Sequence, residues 1–248
     1  MCGRYTLFSP MESLAELFAL QWVAADPMGL LGPRYNIAPT QQIAVIRDVA
    51  AGGRGLDLLR WGLVPPWKES PGAGPLTINA RAETLAQRPM FRAAFAKRRA
   101  LIPANGFYEW RKEPGGKQPF YLTAPDGSPL AFAAIWERWR SPKNGEDSEL
   151  LSCAIITTAA NATLRAIHPR MPALLAATDW ATWLDPQTPP QQLAPLLRPA
   201  PEALLVARPV SRRVNRVQHD DPGLIDTQHA ETPPADEGDD PQLPLFKR

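Results

Sequence analysis

Leu150-Leu151-Ser152-Cys153-Ala154-Ile155-Ile156-Thr157-Thr158 is the stretch on which the fold turns. A nearly continuous apolar run of this length is the pattern of a strand covered on both faces, at the centre of a sheet. Such a strand needs neighbours, and the chain supplies short β-like segments on either side. They span residues 41–49, 56–64, 99–102, 107–110, 119–123, 130–136 and 204–210. Helical patterns are fewer and short, at 90–97, 179–184 and 190–197. Near the start, Ser9-Pro10-Met11-Glu12 reads as a capping box with proline at the first helical position. Leu14, Leu17, Phe18 and Trp22 follow as one apolar helical face, broken by residues 26–33. Strands and helices do not alternate, which argues against a doubly wound parallel sheet. The expectation is a mainly antiparallel α+β domain without internal repeats.

Composition bounds the partners. The chain has 248 residues, 44% of them apolar, and a net charge of +2 from 27 Lys and Arg against 25 Asp and Glu. That small total divides unevenly. Residues 1–216 hold 25 Lys and Arg against 17 Asp and Glu, a net of +8, whereas residues 217–248 hold 2 against 8, a net of −6. A basic body suits steering toward nucleic acid. Residues 227–241 carry no apolar side chain beyond Ala and Pro, so a domain over 1–226 and a disordered acidic tail over 227–248 are expected. No apolar run approaches the ~18 residues of a membrane span. Met1-Cys2-Gly3-Arg4-Tyr5 lacks the apolar core of an export signal. A soluble, cytoplasmic monomer is therefore expected. Two cysteines exclude a disulfide scaffold, and with three histidines they show no metal-ligand spacing, so neither metal nor cofactor is expected. The 21 Arg against 6 Lys fit phosphate recognition. They fit the codon bias of a GC-rich genome equally well.

Cys2 stands out by position. Methionine removal before a small residue would leave an α-amine and a thiol on one carbon skeleton. Their reference pKa values, about 7.7–8.0 and about 8.5, leave both partly nucleophilic near neutrality. Such an aminothiol condenses with aldehydes: the amine forms an imine and the thiol closes it to a thiazolidine. Four other segments are locally unusual. Arg34-Tyr35-Asn36-Ile37-Ala38-Pro39-Thr40 is polar and turn-like. Asn79-Ala80-Arg81-Ala82-Glu83-Thr84 gathers an amide, a guanidinium and a carboxylate. Asn105-Gly106-Phe107-Tyr108-Glu109-Trp110 places a carboxylate between aromatics, where burial would raise its pKa and suit it to general acid–base work. His168-Pro169-Arg170-Met171-Pro172 holds a histidine in a proline-stiffened loop. Taken singly, each has an ordinary structural explanation.

Taken together they carry a resemblance. Met-Cys-Gly-Arg, Tyr-Asn-Ile-Ala-Pro-Thr, Trp-Gly-Leu-Val-Pro-Pro-Trp, Asn-Ala-Arg-Ala-Glu-Thr, Gly-Phe-Tyr-Glu-Trp and His-Pro-Arg-Met-Pro occur in this order. Over residues 2–225 the chain strongly resembles the SRAP family, the SOS response-associated peptidase or abasic-site processing proteins. The resemblance implies a single SRAP-like domain with a bifurcated or barrel-like sheet flanked by short helices. It implies a sensor of abasic sites in single-stranded DNA, nucleoid-associated when bound, with Schiff-base or lyase-type chemistry. Cys2 would crosslink covalently to the lesion's aldehyde. Asn79 would hold the sugar or the Cys2 backbone, Glu109 would act as general acid–base, and His168 would open the sugar ring. Arg4, Arg81 and Arg170 would clamp phosphates, with Asn36 beside the DNA. Trp67 and Met90 would stack on or wedge between bases. Cys153, mid-strand, reads as inert core.

At the far end, Gln242, Leu243, Leu245 and Phe246 resemble the short peptide by which bacterial proteins dock on the replicative sliding clamp. Three other functions remain open on the residues alone. One is an N-terminal cysteine amidotransferase using the thiol for acyl transfer. Another is a thiol peptidase, and the third a noncovalent reader of single-stranded or modified DNA.

Overall fold

The structure, a computed structural model, describes residues 2–26, 28–49, 53–141 and 149–227. The acidic tail from residue 228, with Gln242, Leu243, Leu245 and Phe246, lies outside the described residues.

The central run is strand β11 (Glu149–Ala159), and it is paired along both edges. One edge takes β10 (Leu130–Arg140) and then β12 (Arg170–Pro172), both antiparallel. The other takes β5 (Gly53–Trp61) and then β6 (Asn79–Arg81), both parallel. From β10 the pairing continues through β7 (Arg99–Ala104) and β4 (Gln42–Val49) to β5, which returns to β11. The sheet thus closes on itself as a barrel. The strand β2 (Trp22–Val23) pairs in parallel with the outer part of β5. A second, five-stranded sheet runs β13 (Val206–Pro209), β9 (Gly116–Thr123), β8 (Gly106–Glu113), β1 (Arg4–Leu7) and β3 (Arg34–Ile37), antiparallel throughout. Helices are short: α1 (Met11–Leu17), α2 (Pro89–Lys97), α3 (Ala162–Arg165), α4 (Trp180–Leu184) and α5 (Pro190–Leu193).

Aromatic side chains join the two sheets. Tyr5 on β1 meets Trp61 on β5 edge-on at 5.5 Å, and Phe107 on β8 meets Phe132 on β10 edge-on at 5.8 Å. Edge-to-face pairs add about 0.5–1.5 kcal/mol each to the area they bury. The outer face of the five-stranded sheet carries a smaller cluster, Tyr108, Tyr121, Val210, Val214 and Leu224, under the segment 211–225.

Two details of the N-terminal reading are corrected. No capping box forms at α1: Pro10 occupies the N-cap without a side-chain bond. Ser9 is engaged elsewhere. Its hydroxyl accepts from Asn105 Nδ2 at 2.8 Å, and Asn105 Oδ1 accepts from the backbone N–H of Phe8 and Ser9 at 2.8 and 3.0 Å. The apolar face is also shorter than its spacing implies. Leu14 and Phe18 are buried, but Leu17 is 44% exposed, and the chain leaves the helix through Ala19 at φ +50°. Trp22 therefore falls in β2. The polar stretch at 34–40, read as a turn, begins instead as strand β3, because β1 satisfies its backbone groups.

Asn105 ties β8's entry to the end of β1 with three bonds, and is itself buried. Truncation would strand two partly buried amide donors, at about 1–3 kcal/mol each where water cannot substitute. Asn105→Ala should lower the melting temperature by about 5–10 °C, from roughly 2–3 kcal/mol at a few degrees per kcal/mol for a chain of this size. Differential scanning calorimetry checks this.

Candidate active site

The segments singled out in the sequence converge where β1 meets the barrel. Cys2, just ahead of β1, is fully buried, with its thiol directed at Arg4 O at 3.9 Å. Its carbonyl accepts from Asn79 Nδ2 at 3.0 Å. Asn79 is held there by the parallel register of β6 on β11, Asn79 opposite Ile155. The other half of the Asn79 amide, Oδ1, is buried with no hydrogen-bond partner among the described residues. A polar atom left so has an acceptor to spare for an incoming donor.

Glu109 enters from β8. It is 2% exposed, and burial pushes its carboxyl from an ordinary 4.5 up to about 7. Desolvation disfavours the charged form, so this acid keeps its proton into the neutral range. Gly106 makes room for the strand at this point. A Cβ there would meet the Leu122 carbonyl oxygen at 2.5 Å and the Tyr121 ring at 2.4 Å. Without one, Tyr121 closes down to share a 2.8 Å bond with Thr6 on β1.

His168 completes the group, its Nδ1 4.0 Å from Glu109 Oε1. Asn161 caps α3 by accepting from Leu164 N, and the backbone of Ile167 and His168 folds back onto Leu164 O at 2.8 Å. Pro169 then directs the chain into β12. Nδ1 lies 3.1 Å from both the Arg170 N–H and the Arg170 carbonyl oxygen, accepting from the first or donating to the second according to the ring's tautomer. Partial burial lowers the His168 pKa below its ordinary value. Near neutrality the pair is thus a neutral imidazole beside a carboxyl poised to gain or lose its proton.

The expected DNA contacts separate into two groups. Arg81 is exposed, two residues along β6 from Asn79, and Trp67 is 61% exposed after Pro65-Pro66. Arg4 and Asn36 are different. The Arg4 guanidinium donates to Asn36 Oδ1 at 2.9 Å, to Val214 O at 2.7 Å and to Asn215 O at 3.3 Å. Asn36, 1% exposed, donates to the carbonyls of Val214, Arg216 and His219. Asp220 accepts from the backbone of Tyr35 and Asn36. These two residues brace the 214–219 segment against β1 and β3, with three Arg4 N–H groups engaged in doing so. Arg170 is likewise engaged, bidentate to Glu83 at 2.6 and 2.9 Å and bonded to Thr157 O at 2.6 Å. Met90 is half-buried against the core, with Thr77 Oγ1 on its sulfur at 3.7 Å. Cys153 is fully buried and its thiol pKa is raised by that burial. Among the described residues no group of three or more His, Cys, Asp or Glu is placed to hold a metal, and no helix is long and apolar enough to cross a membrane.

Sequence similarity places the chain in a known family. Residues 1–217 match the one described as SOS response associated peptidase (SRAP), and the chain belongs to it. Among its relatives, the Bacillus subtilis abasic site processing protein YoqW is 39% identical over 229 residues, covering 92% of this chain and all of the relative. The Escherichia coli abasic site processing protein YedK is 32% identical, covering 91% of this chain and 99% of the relative. The Gallus gallus abasic site processing protein HMCES is 31% identical, covering 79% of this chain and 67% of the relative. A solved structure from Bordetella bronchiseptica superposes with TM-score 0.72 at 29% identity, covering 85% of this chain and 100% of that one. One from Bacteroides thetaiotaomicron superposes at 0.80 with 24% identity, covering 92% and 100%, which establishes a common fold.

The raised Glu109 pKa has a stability consequence with a definite sign. Unfolded, the carboxyl ionises near 4.5; folded, it holds its proton to about 7. The folded state binds more protons across that window, so stability falls as pH rises through it and stays lower above. Glu109→Gln should therefore stabilise the protein at about pH 8, by an amount on the order of 1–3 kcal/mol, and lose that advantage by about pH 5. Urea melts of both proteins at the two pH values measure it.

Proposed function

We propose that this protein recognises abasic sites in single-stranded DNA and joins them covalently through Cys2 after removal of Met1. The observation that carries the proposal is the convergence of Cys2, Asn79, Glu109 and His168 on one buried seam, from four separate parts of the chain. The names of the relatives supply the substrate class.

An abasic deoxyribose exchanges between a ring-closed hemiacetal and an open aldehyde. In the proposed sequence, His168 assists ring opening as a proton relay: it takes the proton of the hemiacetal hydroxyl and returns one to the ring oxygen, as the C–O ring bond breaks and the aldehyde C=O forms. The freed Cys2 amine adds to the aldehyde carbon to give a carbinolamine. Glu109, protonated up to about pH 7, donates to the departing hydroxyl, which leaves as water and yields the protonated imine. The Cys2 thiol then adds to the C=N carbon. Its sulfur forms the new C–S bond, the C=N electron pair moves to the nitrogen, which keeps its proton, and the thiol proton passes to the Glu109 carboxylate and restores the acid. The balance is one aldehyde plus one aminothiol giving one thiazolidine and one water. Asn79 fixes the Cys2 carbonyl and with it the direction of the amine. Arg81 binds a flanking phosphate and Trp67 stacks on a base, both being exposed. Burial raises the Cys2 thiol pKa, which disfavours the thiolate that a peptidase or amidotransferase would use.

Incubation with an abasic single-stranded oligonucleotide, followed by a denaturing gel, tests this. Wild type should give a stable shifted band and Cys2→Ala none. Cys2→Ser keeps the amine but not the sulfur, so it should give a band only after borohydride reduction. A full-strength band from Cys2→Ala without reductant would overturn the assignment. Glu109→Gln should slow crosslinking by about 10²–10⁴-fold and abolish a pH optimum near neutrality.

A further inference from the structure

Asn79 and His168 reach the site from opposite edges of β11. Asn79 lies on β6, which pairs with one edge, and His168 lies just ahead of β12, which pairs with the other. Each of these strands is three residues long, so its own ladder holds it weakly. One side chain crosses between them. Arg170, on β12, donates to Thr157 O at 2.6 Å and to both oxygens of the Glu83 carboxylate at 2.6 and 2.9 Å. Thr157 is the β11 residue that stands opposite both Arg81 of β6 and Pro172 of β12. Glu83 sits in the short helical turn Ala82–Thr84, directly after β6. The guanidinium therefore spans β11 and ties its two short neighbours together.

Both ends of this strap run into the site. At one end, Glu83 lies four residues beyond Asn79, whose amide donates to the Cys2 carbonyl at 3.0 Å. At the other, the Arg170 backbone holds the His168 ring, its N–H and its carbonyl oxygen each 3.1 Å from Nδ1. The Arg170 side chain is largely buried, and its Nε has no hydrogen-bond partner among the described residues. A buried donor left unpaired is a cost, borne here by a side chain whose other two nitrogens are fixed on Glu83 and Thr157. Glu83 is half-exposed, and an ion pair so close to solvent adds little to stability. What the pair supplies is placement, because a planar fork on a carboxylate fixes distance and orientation together. We propose that Glu83 is a positioning residue for the reaction: through Arg170 it sets the His168 ring relative to Asn79 and the Cys2 that Asn79 holds. The proposal rests on the abasic-site reading for the reaction, and on the bonds above for the strap.

The test compares wild type with Glu83→Gln, Arg170→Gln and the double variant on a single-stranded oligonucleotide carrying one abasic site. Glu83→Gln should lower the crosslinking rate at saturating oligonucleotide by about 10–100-fold, the order expected for a misplacement of roughly 1 Å. The half-saturating concentration and the melting temperature should barely move. Glu83→Asp keeps the carboxylate on a shorter stem and should recover part of the rate. Residues that act as one unit are not additive, so the double variant should be no slower than Arg170→Gln alone. A wild-type rate in Glu83→Gln overturns the proposal, as do losses that add in the double variant. Tighter oligonucleotide binding at an unchanged rate also overturns it, and would make Glu83 a stand-in for a phosphate on Arg170. Without DNA, the ring-nitrogen NMR resonances of His168 should shift in Glu83→Gln, and unshifted resonances overturn the proposal as well. Should wild type fail to crosslink at all, the crosslinking reading falls, while those resonances still judge the strap.

Discussion

Everything in this molecule hangs on the hydrogen bonding of β11 along both of its edges. One edge takes β10 and the other β5, which together close the barrel, and further along the same edges hold the short strands β12 and β6. Neither β6 nor β12 has the length or apolar content to exist alone, since a three-residue strand gains little from its own packing. Both are held because β11 is rigid, buried and already paired. That same dependence places Asn79 and Arg81 on one side of β11 and Arg170 on the other, with His168 just ahead of it. The barrel is thus a fixed frame against which short polar strands can be registered to within a residue.

This explains which parts of the architecture were legible from the amino-acid sequence. The apolar run at 150–158 announced a central strand, and β4, β7, β9 and β10 were visible as β-rich segments, because burial of both faces leaves a compositional mark. β1, β3, β6 and β12 left none. They are short and polar, and their conformation is imposed by partners 11 to 104 residues away. Ser9-Pro10-Met11-Glu12 had the letters of a capping box, yet Asn105, distant in sequence, claimed the serine. At the site, Cys2, Asn79, Glu109 and His168 could be nominated from residue chemistry and motif order. Their convergence could not, nor could the engagement of Arg4 and Asn36 by the carbonyls of residues 214–219. No local signal reports a contact separated by two hundred residues.

The electrostatics of the seam follow from dryness. Burial raises Glu109 into the neutral range, while burial, with the nearby N-terminal and Arg170 charges, lowers His168. The ordinary order of proton affinity is thereby inverted, and the carboxyl holds a proton beside a neutral imidazole. Such a pair suits a sequence in which one hydroxyl must be protonated to leave and one thiol must be deprotonated to attack.

The Arg4 brace has a consequence in time as well as in space. The carbonyls that anchor Arg4 belong to Val214 and Asn215, some 210 residues later in the chain. At about 5–20 residues per second, Arg4 waits on the order of ten seconds or more for its anchor to be synthesised. Until then β1 can pair with β3 and β8 but lacks this brace. Its completion is a late step, set by the order of synthesis rather than by any contact near Cys2.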